Sequence, residues 1–137
     1  MPWRRAYCYH LAGAGRNRSS YGQAALKRIW KALLHSLDGF AAAFRHEDAF
    51  RLEVLLALIL VPLALSMRAS GVGKALMVGS VLLVLITELI NSAIESATDR
   101  ISLEDHVLAK RAKDMGSAAV MISLISVPVM WLLVLLG

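Results

Sequence analysis

Beyond about residue 50, long runs of apolar residues alternate with short charged segments. Three runs cover about 50–67, 75–99 and 115–136, and the third continues from Met115 to Gly137 without a charged residue. A helix needs roughly 20 apolar residues to cross a bilayer. The pattern therefore predicts an all-α membrane protein with three transmembrane helices.

A different pattern precedes the first run. Between 24 and 45, large apolar residues recur at three- and four-residue spacings, with basic residues between them; the apolar set is Leu26, Ile29, Trp30, Leu33, Leu34, Leu37, Phe40 and Phe44. This spacing is typical of an amphipathic helix, and a basic polar face suits the membrane interface. We therefore predict a surface helix over 24–45, with a soluble helix packed against the membrane domain as the alternative.

Residues 1–23 are rich in Arg, Gly, Ser and Tyr and show no periodicity. No apolar core of 7–15 residues follows their basic residues closely enough for a cleavable signal peptide. We predict a disordered basic tail over 1–23 and a single membrane domain over 24–137.

The positive charge is concentrated on one side of the predicted spans. Of the fifteen Lys and Arg residues, nine precede Val54, two lie in 68–74 and four lie in 100–114, and the net charge is +5. Because Lys and Arg favour the cytoplasmic side, the N-terminus and 100–114 are predicted to be cytoplasmic and the C-terminus periplasmic. The sequence lacks a basic stripe interleaved with aromatic residues, so the charge does not indicate nucleic-acid binding.

Several common sites are excluded by their spacing. The single Cys8 offers no internal disulfide, and the four histidines lack the spacing of a zinc motif. Residues 71–74 read Gly-Val-Gly-Lys, but a phosphate-binding loop needs glycine where Arg68 stands and Ser or Thr where Ala75 stands.

The second span carries a line of carboxylates. Asp99 and Glu95 follow Glu88 at eleven and seven residues, and at about 100° per residue both return to within roughly 20° of its direction. Asn91 and Ser92 flank this line. Acids at membrane depth usually face a bundle interior or a wet site, so we expect chemistry on this helix.

Three spans enclose too little interior to satisfy Glu53, Glu88, Asn91 and Glu95 in one chain, so oligomerisation is expected. Carboxylates, water and phosphates are the ligands that Mg²⁺ prefers, which makes Glu47 and Glu95 candidate ligands.

Lys113 and Arg100 would then meet phosphates, and Glu88 would take a proton from a lipid hydroxyl. Two alternatives remain open: purely structural acids, and an oligomeric ion or proton pathway.

Three segments carry a resemblance to a known family. They are Glu88-Leu89-Ile90-Asn91-Ser92-Ala93-Ile94-Glu95, then Asp99-Arg100, then Arg111-Ala112-Lys113-Asp114-Met115-Gly116-Ser117-Ala118-Ala119-Val120. Together they resemble the signature of the prokaryotic diacylglycerol kinase family, and the segment from Glu47 to Glu53 is similar to the start of its first span. The resemblance extends from about Leu26 to the C-terminus.

The resemblance implies a homotrimer with shared active sites in the bacterial inner membrane. Its expected reaction transfers the γ-phosphoryl group of ATP, with Mg²⁺, to the hydroxyl of diacylglycerol and yields phosphatidic acid. A related branch phosphorylates undecaprenol, and this remains an alternative lipid.

The resemblance also implies roles for individual residues, with Glu88 as the base and Asn91 as the residue that orients the reacting groups. The implied Mg²⁺ ligands are Glu47 and Glu95. The implied nucleotide contacts are Arg28, His35, Glu47, Glu95, Glu104, Asp105, His106, Lys113 and Asp114. The implied lipid contacts are Arg28, Ala49, Phe50, Arg51, Leu52, Glu53, Glu88, Ser117 and Trp131. The sequence departs from the family pattern at His35, His46 and Leu52, where the family has an aromatic hydroxyl, an asparagine and a polar residue.

Overall fold

A computed structural model describes the backbone of residues 18–101 and 107–137 and the side chains of residues 25–100 and 107–137. Within these ranges the chain forms four helices: α1 (Arg18–His46), α2 (Asp48–Ser66), α3 (Gly71–Ile101) and α4 (Val107–Leu136). Three of them, α2 to α4, are long and apolar enough to cross a membrane. The predicted all-α membrane fold is confirmed.

Two helices extend further into the charged segment than the hydropathy pattern predicts. α3 continues to Ile101, and α4 begins at Val107 instead of Met115. Residues 107–113 are mostly Leu, Ala, Lys and Arg, which are strong helix formers. The helical backbone therefore continues beyond the apolar part, and the region expected to be a loop narrows to residues 102–106, which the structure does not describe.

The chain divides into two compact units, Met1–Gly39 and Phe40–Gly137. The described part of the first unit is the helix from Arg18 to Gly39, and its large apolar side chains, among them Leu26 and Trp30, are exposed. An exposed apolar stripe is what the predicted amphipathic helix requires. The helix begins at Arg18, within the predicted tail, and residues 1–17 of that tail lie outside the described part.

In the second unit, α3 is the central helix and packs against both α2 and α4. The buried core is formed mainly by residues of α2 and α3, with Ala43 added from α1; the residues of α2 and α3 are Phe50, Ala57, Ala64, Met77, Val81 and Val84. The two alanines of α2 allow its backbone to approach α3 closely, as small residues do between membrane helices. At the other end of α2, the Phe50 ring lies 6.1 Å from the Phe40 ring in the last part of α1.

The turn between α2 and α3 is closed by side-chain hydrogen bonds. The Gly73 backbone N–H donates to Ser70 Oγ over 3.0 Å, and Lys74 Nζ donates to the Leu65 carbonyl over 2.7 Å. A Cβ at Gly73 would lie only 2.7 Å from Val134 Cγ1. Glycine therefore lets the start of α3 approach the end of α4.

Candidate active site

The polar face of α3 runs from the bundle interior to the surface. Glu88 is 5% exposed and Asn91 is 8% exposed, whereas Glu95 is partly exposed and Asp99 is exposed. The helical period places these residues on one face, and their apolar neighbours fill the others. The predicted line of carboxylates therefore exists, and it begins inside the protein.

Glu88 interacts electrostatically with three other carboxylates. They are Glu53 in α2, Glu47 directly before α2, and Glu95 on the same face of α3. We call these four residues the carboxylate cluster. Like charges repel strongly where water is scarce, so a cation or a set of hydrogen-bond donors among these four residues is stabilising. The structure brings together both predicted metal ligands and the predicted base.

Asn91 connects two parts of this site. Its Nδ2 donates a hydrogen bond to Glu95 Oε1 over 3.0 Å. This bond fixes which end of the amide carries the nitrogen, and it holds one oxygen of the Glu95 carboxylate. The other end of the amide, Oδ1, lies against Gly116 of α4.

Three buried polar atoms near the cluster have no hydrogen-bond partner among the described residues: Glu53 Oε2, Asn91 Oδ1 and Ser92 Oγ. A buried polar group left unpaired costs about 1–3 kcal/mol. They therefore mark the part of the bundle where donors or cations from outside this chain are stabilising.

The residues present fit a magnesium ion that also binds nucleotide phosphates. Among the described residues there is no group of three His, Cys, Asp or Glu side chains that could hold a metal. Mg²⁺ in phosphoryl-transfer sites is usually held by one or two carboxylates, with phosphates and water completing its shell. Glu47 and Glu95 are both partly exposed and can supply those carboxylates.

Lys113 and Asp99 form an ion pair between the start of α4 and the end of α3. The predicted nucleotide contact Lys113 is therefore held near the outer end of the polar face. Its neighbour Asp114 is exposed. The Lys113 side chain is 38% exposed, so it is accessible to an anionic ligand.

Five predicted nucleotide or lipid contacts lie outside the described part of the second unit. Arg28 and His35 are exposed on the helix of the first unit. Glu104, Asp105 and His106 fall on residues that the structure does not describe. The roles of all five remain predictions.

The predicted lipid-binding segment Ala49–Glu53 forms the start of α2 and points in two directions. Phe50 is 1% exposed and Glu53 is 9% exposed, whereas Leu52 is 59% exposed. The Arg51 guanidinium donates to the carbonyls of Phe44 and Arg45 at 3.3 and 3.2 Å, and it pairs with Asp48.

Arg51 thus satisfies carbonyls at the C-terminal end of α1, where the helix leaves them without partners. This function was missed because the sequence does not show that α1 and α2 meet at a one-residue break.

The last two predicted lipid contacts lie on α4. Ser117 is exposed, and the Trp131 indole N–H donates to the Met77 carbonyl over 3.4 Å. Met77 precedes Glu88 by eleven residues, which is about 16 Å along a helix. Within one chain, Trp131 is therefore near the opposite end of α3 from the cluster.

Two further contacts join α3 and α4, and the sequence predicts close helix packing at the small residues 116–119 without giving the partner of either contact. Thr87 Oγ1 and Ser123 Oγ share a hydrogen bond of 2.7 Å between α3 and α4, and Gly116 allows the close approach to Asn91. A hydroxyl within an apolar run and a glycine within a helix are the only sequence signals, and neither identifies its partner.

A wide apolar cavity of about 620 Å³ lies beside Phe50. It is lined by Phe40, Ala41, Phe44, Arg45, Phe50, Val54 and Leu85. Its lining joins the last turns of α1 to α2 and α3. An apolar wall with one cation at its edge is chemically suited to an acyl chain close to a polar headgroup.

The chain matches the family model described as prokaryotic diacylglycerol kinase over residues 34–135. A diacylglycerol kinase of Pseudomonas aeruginosa is 53% identical over 116 residues, which are 85% of this chain and 94% of the relative. Enzymes of the same name from Haemophilus influenzae and Escherichia coli K12 are each 44% identical. These two alignments cover 81% and 79% of this chain and 94% and 88% of the relatives.

Proposed function

The chain belongs to the prokaryotic diacylglycerol kinase family, and from this we propose that it transfers the γ-phosphoryl group of ATP to diacylglycerol. The protein is an enzyme that moves phosphate to an alcohol group. The observation that best supports the proposal is the buried Glu88, which interacts electrostatically with Glu47, Glu53 and Glu95. This arrangement does not need a glycine-rich phosphate-binding loop, which the sequence lacks at residues 71–74.

Glu88 is proposed to be the general base. It is buried, and the polar face of α3 leads from it to the exposed Asp99. Removing the hydroxyl proton allows the oxygen to form its new bond to phosphorus as the bond to the departing ADP oxygen breaks. Asn91, next to Glu88 on the polar face, orients the groups that react.

Glu47 and Glu95 are proposed to hold Mg²⁺ together with the nucleotide phosphates. Magnesium, when bound, neutralises charge that develops on the transferred phosphoryl group. The hydrogen bond from Asn91 to Glu95 supports this assignment, because second contacts of this kind orient metal-binding carboxylates. Lys113, at the exposed end of the same region, is proposed to bind phosphate oxygens.

The cavity beside Phe50 supports a lipid substrate. Its apolar walls suit an acyl chain, and Arg45 in its lining offers a cation to a polar headgroup. We therefore propose diacylglycerol as the lipid, in agreement with what the relatives are named for.

The active enzyme is proposed to be a homotrimer with shared sites in the inner membrane, with its N-terminus cytoplasmic and its C-terminus periplasmic. One observation supports assembly: the polar atoms without partners among the described residues at the cluster. Neighbouring subunits would supply those partners and complete the site. The charge distribution supports the orientation.

The proposal is tested by a kinase assay on purified protein in detergent micelles with MgATP. Diacylglycerol and undecaprenol are compared as substrates, and we expect turnover of diacylglycerol to exceed that of undecaprenol. Glu88→Gln keeps the size of the side chain and removes the base, so turnover should fall roughly 10³-fold or more. Asp38→Asn, on the exposed surface of α1, is the matched control.

The same preparations should show an unchanged oligomeric state by size-exclusion chromatography. Normal turnover in Glu88→Gln would remove this residue from the role of base. Absence of lipid phosphorylation in the wild type, together with ATP-independent cation flux in liposomes, would replace the kinase with an ion pathway.

A further inference from the structure

α3 and α4 come into close contact beside the carboxylate cluster, at Gly116. Gly116 is buried, and a Cβ added there would overlap Asn91 Oδ1. The next nearest atoms to that Cβ are Asn91 Cγ at 3.4 Å and Ile94 Cδ1 at 3.7 Å. The missing side chain thus provides space for one group, the Asn91 amide.

One end of the Asn91 amide is hydrogen-bonded, and the other end is packed against α4. Nδ2 donates to Glu95 Oε1 over 3.0 Å, while Oδ1 is buried against Gly116 without a hydrogen-bond partner among the described residues. The amide group is planar, so a displacement of Oδ1 also moves Nδ2. A side chain at position 116 would therefore disturb the bond that holds the Glu95 carboxylate.

We propose that Gly116 is a positioning residue for the kinase reaction. By leaving room for Oδ1, it sets the angle of the Asn91 amide, which holds Glu95 in place for Mg²⁺ and the nucleotide phosphates. The inference rests on the proposed function, in which Glu95 is a metal ligand. It adds a residue of α4 that acts through Asn91 and Glu95.

A merely structural role for Gly116 predicts a different outcome. Replacing a helix-interior glycine by alanine favours the helix by about 0.5–1 kcal/mol where space permits. Gly79 in α3 is such a position, because a Cβ there meets nothing within 4 Å. Gly79→Ala is therefore the matched control for the same chemical change without the contact.

The test compares the full-length wild type with Gly116→Ala, Gly79→Ala, Asn91→Ala and the double variant Asn91→Ala/Gly116→Ala in micelles. Gly116→Ala should lower kcat and raise the Mg²⁺ concentration needed for half-maximal activity, each by about tenfold. Misplacement of a reacting group by 1 Å can cost about 100-fold. The KM for diacylglycerol should stay within twofold, because no residue of α4 lines the cavity proposed to hold the lipid.

Metal binding provides a readout that does not depend on turnover. With Mn²⁺ as the probe and a non-hydrolysable ATP analogue present, electron paramagnetic resonance should show Mn²⁺ binding about tenfold weaker in Gly116→Ala. Binding by Gly79→Ala should match the wild type.

The double variant decides whether Gly116 acts through Asn91. Once the amide is removed, Gly116→Ala has nothing to displace, so it should change kcat by less than twofold in the Asn91→Ala background. If Gly116→Ala proves too unstable to assay alone, the double variant removes the clash and retains the test. Multiplication of the two single effects, or unchanged Mg²⁺ dependence in Gly116→Ala, would overturn the proposal.

Failure of the proposed function would look different. In that case the wild type would not phosphorylate diacylglycerol, and Glu88→Gln would make no difference. An active wild type with an unaffected Gly116→Ala would remove only the positioning role.

Discussion

Buried polar groups are hydrogen-bonded at one end of the α3 helix, whereas several lack a partner among the described residues at the other end. At the turn end, which comprises 65–80 and 131–134, Ser80 Oγ donates to the Met77 carbonyl over 2.7 Å and Lys74 Nζ caps the last turn of α2. At the carboxylate end, which comprises 47–53, 87–99 and 112–123, Asn91 and Ser92 each contain a buried oxygen without a partner in the described part of the chain. The α3 helix contributes residues to both regions.

The difference separates what holds the bundle together from what it is built to bind. The turn end is closed within one chain, by Gly73 against Val134 and by the fully buried Met77. The carboxylate end gathers four acids, whose repulsion opposes folding unless a cation, a nucleotide or a neighbouring subunit compensates for it. Stability is therefore expected to come mostly from the first end and activity from the second.

The substitution expected to change activity most in this comparison is Lys113→Gln, at the carboxylate end. Lys113→Gln removes a charge proposed to bind phosphate, and such a contact contributes about 1.5–3 kcal/mol. The KM for ATP should rise by roughly 10–100-fold, measured by coupled assay at saturating diacylglycerol.

Asp99→Asn breaks the same ion pair from its other side and is the control. An exposed pair contributes about 0–1 kcal/mol, so the KM for ATP should change by less than about threefold. Equal effects of the two substitutions would mean that Lys113 acts by holding Asp99 and not by binding phosphate.

Met77 tests the turn end. Its side chain is fully buried between the helices, whereas Met121 on α4 is 56% exposed. Met77→Ala should lower the free energy of unfolding by about 2 kcal/mol, near the lower limit for Met→Ala in protein cores. The cost is at the lower limit because a side chain transferred to lipid gains no exposure to water, so that the substitution loses mainly packing contacts.

Met121→Ala, the matched control, should cost much less in the same denaturant titration, followed by circular dichroism in micelles. The kcat per folded molecule should remain at the wild-type value in both variants. Trp131 contacts the backbone carbonyl of Met77, which the substitution retains. A loss of kcat in Met77→Ala without a loss of stability would show that the two ends are not separable.

Much of the fold could be predicted from hydropathy, because a bilayer requires long apolar helices. The three spans, the amphipathic helix and the polar face of α3 all follow from periodicity in one segment. The helical extension over 107–114 was missed because charge density indicated a loop, whereas the residues between the charges favour helix.

The site was less predictable because it depends on contacts between helices. The seven-residue spacing places Glu88 and Glu95 together, but spacing on α3 cannot show that Glu53 of α2 meets Glu88 or that Asn91 rests on Gly116. The hydrogen bonds of Arg51 to the end of α1 were not predicted either, and its lipid contact stays a prediction. Only the packing of one helix on another decides these partners.

The smallest expected effect concerns two buried serines of the carboxylate end, one hydrogen-bonded and one without a partner among the described residues. Ser123 Oγ is hydrogen-bonded to Thr87 and to the Val120 carbonyl, whereas Ser92 Oγ lacks a partner in the structure as described. Ser123→Ala should lower the free energy of unfolding by about 1 kcal/mol, and Ser92→Ala should leave it unchanged or raise it by a similar amount. Denaturant titration of each variant beside the wild type measures both.

The sign of the Ser92→Ala effect also locates the missing partner. A hydroxyl that stays unpaired in the assembled protein destabilises it, so its removal is favourable. If Ser92→Ala instead costs as much as Ser123→Ala, the hydroxyl is paired in the assembled protein, and the partner is a group that the described chain does not present to it here. The contrast between the two ends would then hold for one chain only, and assembly itself would complete the carboxylate end.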